Sequence, residues 1–207
     1  MPLYLQFYSY GFLPQCFIQT LLGYIVAQYE ILKYLFKNFS DACNYSLNVK
    51  GVEMNEKNQI MFLKKLIRHH QFILSLMADI NKCLQTAIFI DFSVSSFQLA
   101  MIAYQLMIVQ GLDRAIVSIY FFATNVQIFL LYWKGNEILY QSQQVAVSIA
   151  QSEWNTYSTK ISKMMQFVML RSQKPVYLSI GSFAAVNFGM LLQIYKTIYS
   201  FFCLLIK

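Results

Sequence analysis

Charge is what this sequence has least of. Asp, Glu, Lys and Arg make up 12% of its 207 residues, against roughly a quarter in soluble domains. A soluble domain must meet water with polar surface, and so little of it argues against one. Histidine is confined to the adjacent pair His69 and His70. Neighbours in sequence cannot both face one side of a helix as metal ligands must, so no metal site is expected. Cys16, Cys43, Cys83 and Cys203 stand singly, which removes both a paired-cysteine zinc site and a disulfide framework and leaves them as small apolar residues. There is no nucleophile elbow, histidine-pair metal helix, phosphate-cradling glycine loop or dinucleotide fingerprint. No catalytic residue and no cofactor are therefore expected, and the chain does not read as an enzyme. Its start, "MPLYLQFYSYGFLPQ", lacks the basic flank and small-residue cleavage site of a signal peptide.

What is present is apolar. Hydrophobic residues reach 57% and aromatics 17%. A helix crosses the roughly 30 Å of bilayer hydrocarbon with about 20 mostly apolar residues, and four segments qualify. Phe12 to Gln28 runs on toward Leu32; Ala87 to Gln110 carries one charge, Asp91; Ala115 to Trp133 carries none; Val176 to Ile206 carries only Lys196. The expectation is an all-α polytopic membrane protein of about four transmembrane helices with cytoplasmic amphipathic helices. It is read as one membrane domain over 1–207: a span at 11–34, a cytoplasmic helix continuing into a span at 55–110, a span at 114–134, cytoplasmic helices at 136–174, and a last span at 176–206.

The net charge of +7 forms no aromatic-interleaved stripe, so no nucleic-acid partner is expected; membrane topology accounts for it instead. Lys33, Lys37, Lys50, Lys57, Lys64, Lys65, Arg68 and Lys82 fall in one loop, and Lys134, Lys160, Lys163, Arg171 and Lys174 in another, two spans away and hence on the same side. The opposite side offers Arg114 and Lys207. The positive-inside rule makes the cation-rich side cytoplasmic and sets both chain ends outside. The sequons at Asn38 and Asn44 then lie in the cytoplasm and should carry no glycan.

The cytoplasmic stretches carry helical periodicity. Ile60, Leu63, Ile67, Leu74, Met77 and Leu84 recur on one face with Lys64, Lys65 and Arg68 between them, and no Pro or Gly interrupts the run from Val52 to Gln110. A second amphipathic helix is expected over Tyr157 to Arg171, with Tyr157, Ile161, Met164 and Val168 on its apolar face. Asp91 is expected to hydrogen-bond a neighbouring helix, and Trp154 to anchor at the membrane interface.

In "VMLRSQKPVYLSIGSF" two cations and a proline interrupt an apolar stretch. Pro175 lacks an amide hydrogen and biases Lys174 away from helical geometry, while Arg171 and Lys174 suit an acidic lipid surface. The stretch reads as a joint after which a membrane helix begins near Ser179. In that helix Gly181, Ala185 and Gly189 would form a small-residue ladder. Gln193, Lys196, Thr197, Ser200 and Cys203 would share one polar face, serving either contact with neighbouring helices or an aqueous path. In a cation path Lys196 would repel the permeant ion, so it is expected to turn away from the axis.

These residues resemble the C-terminal part of insect odorant receptors. The features are Gly135-Asn136-Glu137, read as a turn after the sixth span; Trp154; Arg171-x-Gln173-x-Pro175; and Lys196-x-x-Tyr199-Ser200-x-Phe202. More loosely, "HHQFILSLMADINKCLQTAIFIDFSVSSFQLAMIAYQ" resembles the helix leading into the family's fifth span. The resemblance implies a seven-span receptor of which the first three spans are missing here. It implies a small volatile odorant as ligand, a shared co-receptor in a hetero-tetramer, a non-selective cation channel, and a place in the plasma membrane of a sensory neuron with the C-terminus outside. By the same resemblance Leu204 is the candidate gate, with Ser200 and Gln193 facing the pore. Met101, Tyr104, Tyr120 and Phe121 are candidate odorant-pocket residues, since such ligands need apolar and aromatic walls. The alternatives are a truncated or non-conducting membrane subunit and a small membrane transporter.

Overall fold

The computed structural model describes residues 2–46, 56–181 and 184–206, with the side chains of 2–14 and 204–206 outside the description. Among the described residues the chain is six α-helices and one small antiparallel ribbon: α1 (Pro2–Lys37), α2 (Phe39–Ser46), α3 (Glu56–Ile108), α4 (Leu112–Ala150), α5 (Thr159–Ser172), β1 (Ser179–Ile180), β2 (Ala184–Ala185) and α6 (Phe188–Ile206). It divides into two compact units, one of residues 1–23, 80–136 and 177–207, the other of 24–79 and 137–176.

In the first unit α3 and α4 supply the apolar surface. They are 53 and 39 residues long and apolar enough to cross a membrane, and a third or less of the most apolar stretch of each is buried. A soluble protein's core helix hides that stretch. Here Phe97, Ile119 and Phe122 remain 64–71% exposed, an arrangement that lipid satisfies and water does not. The sharp turn between the two helices is made by Gly111 at φ +68°, a backbone state glycine adopts without steric cost.

The last membrane segment differs from the sequence expectation. No helix begins near Ser179; Ser179–Ile180 pairs instead with Ala184–Ala185, Ile180 opposite Ala184, and α6 starts at Phe188. Gly181 sits at φ +55°, outside the right-handed helical region. Asn187 then caps α6, its Oδ1 accepting the Met190 amide at 2.9 Å, which satisfies one of the donors a helix start leaves free. Gly181 and Ala185 therefore precede the helix, and the ladder Gly181–Ala185–Gly189 does not form a helical face.

A second correction concerns Gly135-Asn136-Glu137. The three residues lie inside α4, which continues unbroken to Ala150, so they make no turn. Gly135 is buried against the ribbon: a Cβ there would stand 2.6 Å from both Cγ1 and the carbonyl oxygen of Val186. Close approach of two backbones is what glycine supplies at this position.

The second unit is packed around aromatic and aliphatic side chains of α1 to α5. Phe36, Phe39, Leu63, Ile73, Met77 and Ile138 are fully buried, and the Phe39 ring meets Phe62 at a tilt (centroids 5.5 Å) and Tyr157 edge to face (5.3 Å). On α3 Phe62 is buried, and Leu63, Leu66, His70, Ile73 and Met77 form a buried line in alternating three- and four-residue steps as in a coiled-coil seam. The sequence stripe through Ile67 and Leu74 runs beside this seam, and those two residues are half-buried. Along α5, Ile161, Met165 and Val168 are buried, with Met165 taking the place expected for Met164.

α5 ends at Ser172 and its C-cap is Gln173. The Arg171 Nη1 donates to the Lys174 carbonyl (3.3 Å), where a cation meets the negative end of the helix dipole. After Pro175 the Val176 amide donates to Ser142 Oγ on α4 at 3.2 Å.

Candidate pore face and ligand pocket

α6 has two unlike sides. Leu191 and Ile194 are buried, whereas Gln193, Lys196, Thr197 and Ser200 are exposed. Together with Gly189, Leu192 and Phe201 those polar residues line an open groove of about 660 Å³. Thr197 turns its hydroxyl back onto the Gln193 carbonyl (2.9 Å), a bond local to the helix. Lys196 lines the same groove as Gln193 and Ser200. The reason is geometric: positions 193, 196, 197 and 200 are separated by three- and four-residue steps, which an α-helix places on one face. Leu204 is in α6, but its side chain lies outside the described residues.

The four candidate pocket residues sit on two helices of the first unit. Met101 and Tyr104 are on α3, Tyr120 and Phe121 on α4; Met101 is exposed and the other three half-buried. Across the helices the Gln98 amide nitrogen donates to the Tyr120 hydroxyl. Gln98 opens the segment Gln98 to Val109 from which sequence expects the pocket to draw, but it is not one of the four chosen residues, although an amide in an apolar membrane run is itself a signal, because polar groups inside a bilayer seek partners. A second such pair lies further along. The Gln15 amide nitrogen donates to both Asp91 carboxylate oxygens, at 3.2 and 2.9 Å, the neighbouring-helix bond expected for Asp91. Gln19 donates to the Gln127 carbonyl at 3.4 Å.

No cluster of three or more His, Cys, Asp and Glu able to hold a metal occurs among the described residues. His70 is 4% exposed. Burial, then the Arg171 charge, then His69 push its pKa down to about 4, so at neutral pH it packs as an uncharged ring. Trp154 lies half-buried in the turn between α4 and α5, and its carbonyl accepts the Ser162 hydroxyl at 2.9 Å.

The features now in view are long, largely unburied apolar helices, part-buried side-chain pairs between helices and a short last helix with one polar face. They define a polytopic helical membrane protein. The family model described as "7tm Odorant receptor" matches residues 8–199, and the chain belongs to that family. It is 26% identical over 191 residues to Odorant receptor 10 of Aedes albopictus, covering 91% of this chain and 48% of that protein. It is 30% identical over 141 residues to Odorant receptor 30a of Drosophila melanogaster, covering 66% of this chain and 37% of that one. The solved structure of the olfactory receptor OR5 from Machilis hrabei in complex with eugenol superposes with a TM-score of 0.74 at 17% identity, over 93% of this chain and 47% of the other. At that identity the likeness speaks for the fold. The chain spans about half the length or less of these relatives.

Proposed function

We propose that this chain supplies the C-terminal half of an odorant receptor subunit, which binds a small volatile ligand and, with a co-receptor in a hetero-tetramer, gates a non-selective cation channel in the plasma membrane of a sensory neuron. The observation that carries this reading is the polar face of α6. Gln193, Thr197 and Ser200 are exposed while Leu191 and Ile194 on the other side are buried, and polar groups held at membrane depth call for water or a partner. Gln193 and Ser200 would face the conduit and Leu204 would close it. Met101, Tyr104, Tyr120 and Phe121 would wall the ligand site, with the Gln98–Tyr120 pair as its polar element. The receptor reading leaves no role for an enzyme site.

Lys196 on the same face favours one second reading, a subunit that assembles without conducting, because a cation there opposes cation flow. Current separates the two. The chain is completed upstream with the first half of the Aedes albopictus receptor, co-expressed with a co-receptor and challenged with an odorant panel. Odorant-evoked inward current supports the channel. A surface-resident complex that stays silent to every odorant known to open its parent receptors refutes it.

A further inference from the structure

The ribbon that precedes α6 is held by side chains and backbone nearly a hundred residues away in sequence. Asn81, on α3, donates from Nδ2 to the Tyr177 carbonyl at 2.8 Å. Its Oδ1 accepts the Ser179 amide at 2.9 Å and the Ser179 hydroxyl at 3.3 Å. One primary amide thus reads the backbone of two residues as a β-strand would, using both its donor and its acceptor. One helical turn further along α3 the Gln85 carbonyl accepts the Gly181 amide at 3.1 Å. From the other side Gly135 of α4 lets Val186 approach to a distance no Cβ would allow, and the Val186 amide closes onto the Leu178 carbonyl at 2.8 Å. Two residues later α6 begins.

The same two helices carry the candidate ligand residues. Gln98 is 17 residues beyond Asn81 on α3, and Tyr120 is 15 residues before Gly135 on α4, so each helix spans about 22–25 Å between the two places at about 1.5 Å per residue. Neither rod has a break in that interval. The hydrogen bonds from Asn81 and Gln85 and the Gly135–Val186 contact are the links by which either rod meets the ribbon.

We propose that Asn81 is the positioning residue through which α3 sets the seat of α6, so that displacement at the Gln98–Tyr120 end moves the polar face of α6. The inference rests on the channel reading for its consequence and on the Asn81 clamp for its cause. Asn81→Ala removes both halves of the clamp, and Asn81→Asp keeps the acceptor for Ser179 while losing the donor to Tyr177.

The test uses the completed receptor with its co-receptor, matched for surface level. Two quantities are read: the odorant concentration for half-maximal current, and the rate at which a cysteine at Ser200 reacts with a charged thiol reagent. Asn81→Ala should shift the half-maximal concentration at least tenfold or raise the odorant-free current to a similar degree, and should change the Ser200→Cys rate severalfold, with Asn81→Asp in between. A role confined to folding would lower surface level and maximal current and leave both readouts where they were. Should the alanine variant be retained in the cell, a reducible disulfide between Asn81→Cys and Ser179→Cys carries the test: oxidation fixes the Ser200→Cys rate against odorant and reduction restores its response. Unchanged concentration dependence, basal current and thiol rate in Asn81→Ala and Asn81→Asp would overturn the proposal. If the parent receptor passes no current, the channel reading fails by itself, and the thiol rate in the variants still decides whether Asn81 seats α6.

Discussion

Gly135 and Val186 touch where any other residue at 135 would collide. A methyl group on Gly135 would lie 2.6 Å from the Val186 carbonyl oxygen and 2.6 Å from its Cγ1, and a backbone oxygen cannot swing aside as a side-chain tip can. Gly135→Ala must therefore move α4 off the ribbon, an overpacking that costs about 1–3 kcal/mol. The contrasting site is Gly23 in α1, where an added Cβ meets nothing within 4 Å; Gly23→Ala should be neutral or stabilise by up to about 1 kcal/mol through helix propensity. Thermal unfolding of the detergent-solubilised receptor checks both, with the midpoint falling for the first variant and holding or rising for the second.

Phe39 joins three elements of the second unit. It is 1% exposed, and its ring meets Phe62 of α3 and Tyr157 ahead of α5. Phe39→Ala should cost about 3–5 kcal/mol by removing the ring and leaving a cavity between rigid helices. Tyr45, six residues on and 91% exposed, serves as the control, and its alanine variant should stay within about 0.5 kcal/mol. Amide exchange in α2 and at the start of α5 should quicken for Phe39→Ala alone.

Much of this is legible in the sequence, for physical reasons that differ by element. The all-helical membrane class follows from scarce charge and long apolar runs, which are properties of whole segments and survive errors in any one residue. The family could be read because Trp154, Arg171, Pro175 and Lys196 keep a fixed order and spacing. What sequence could not give was tertiary. Gly135 looks like a turn glycine until Val186 is seen pressed against it. The stretch from Ser179 to the start of α6 looks helical until Asn81 is found taking the Ser179 amide. The seam of α3 was legible at Leu63 and Met77 and missed between them, because there it runs through His70, which a hydrophobic pattern skips and burial does not.

His70 gives the second unit a pH dependence of known sign. Its folded pKa is pushed down from 6.5 to about 4, chiefly by burial and then by Arg171 and His69. Well above pH 7 the ring is uncharged in both folded and unfolded chain and contributes no pH dependence. As pH falls below 6.5 the unfolded chain takes up a proton that the folded one refuses, so stability declines until about pH 4. His70→Leu should flatten the decline between about pH 7 and pH 5, the part of the window that lies above ordinary carboxylate titration. Chemical unfolding midpoints across that interval read the slope, and an equal slope in the variant would contradict the burial argument.

The sequons test orientation. Asn38 lies between α1 and α2, its amide donating to the Tyr34 carbonyl at 3.2 Å, and Asn44 is within α2. Both fall between the cations Lys37 and Lys50, on the side the positive-inside rule makes cytoplasmic. Glycosidase treatment of receptor from an insect cell line should leave the gel mobility of this segment unchanged, and a shift abolished by Asn38→Gln or Asn44→Gln would invert the topology.

The polar face of α6 gives the most direct prediction about conduction. With native Cys83 and Cys203, both exposed, replaced by serine, single cysteines are placed at Leu191, Gln193, Ile194, Thr197 and Ser200. A charged, membrane-impermeant thiol reagent should modify 193, 197 and 200 and spare 191 and 194, because the first three are exposed and the last two are 6% and 1% exposed. A helix facing lipid on that side would leave all five untouched, since the reagent does not enter hydrocarbon. Lys196 sharpens the result. It stands in the groove with Gln193 and Ser200, and a fixed positive charge beside a narrow aqueous path repels cations through a medium of low dielectric. Lys196→Gln should therefore raise unitary cation conductance, and Lys196→Glu should raise it further. Unaltered conductance in both variants, alongside reactive cysteines at 193 and 200, would mean that the ammonium group reaches past the path to the interface, as long basic side chains do near a helix end.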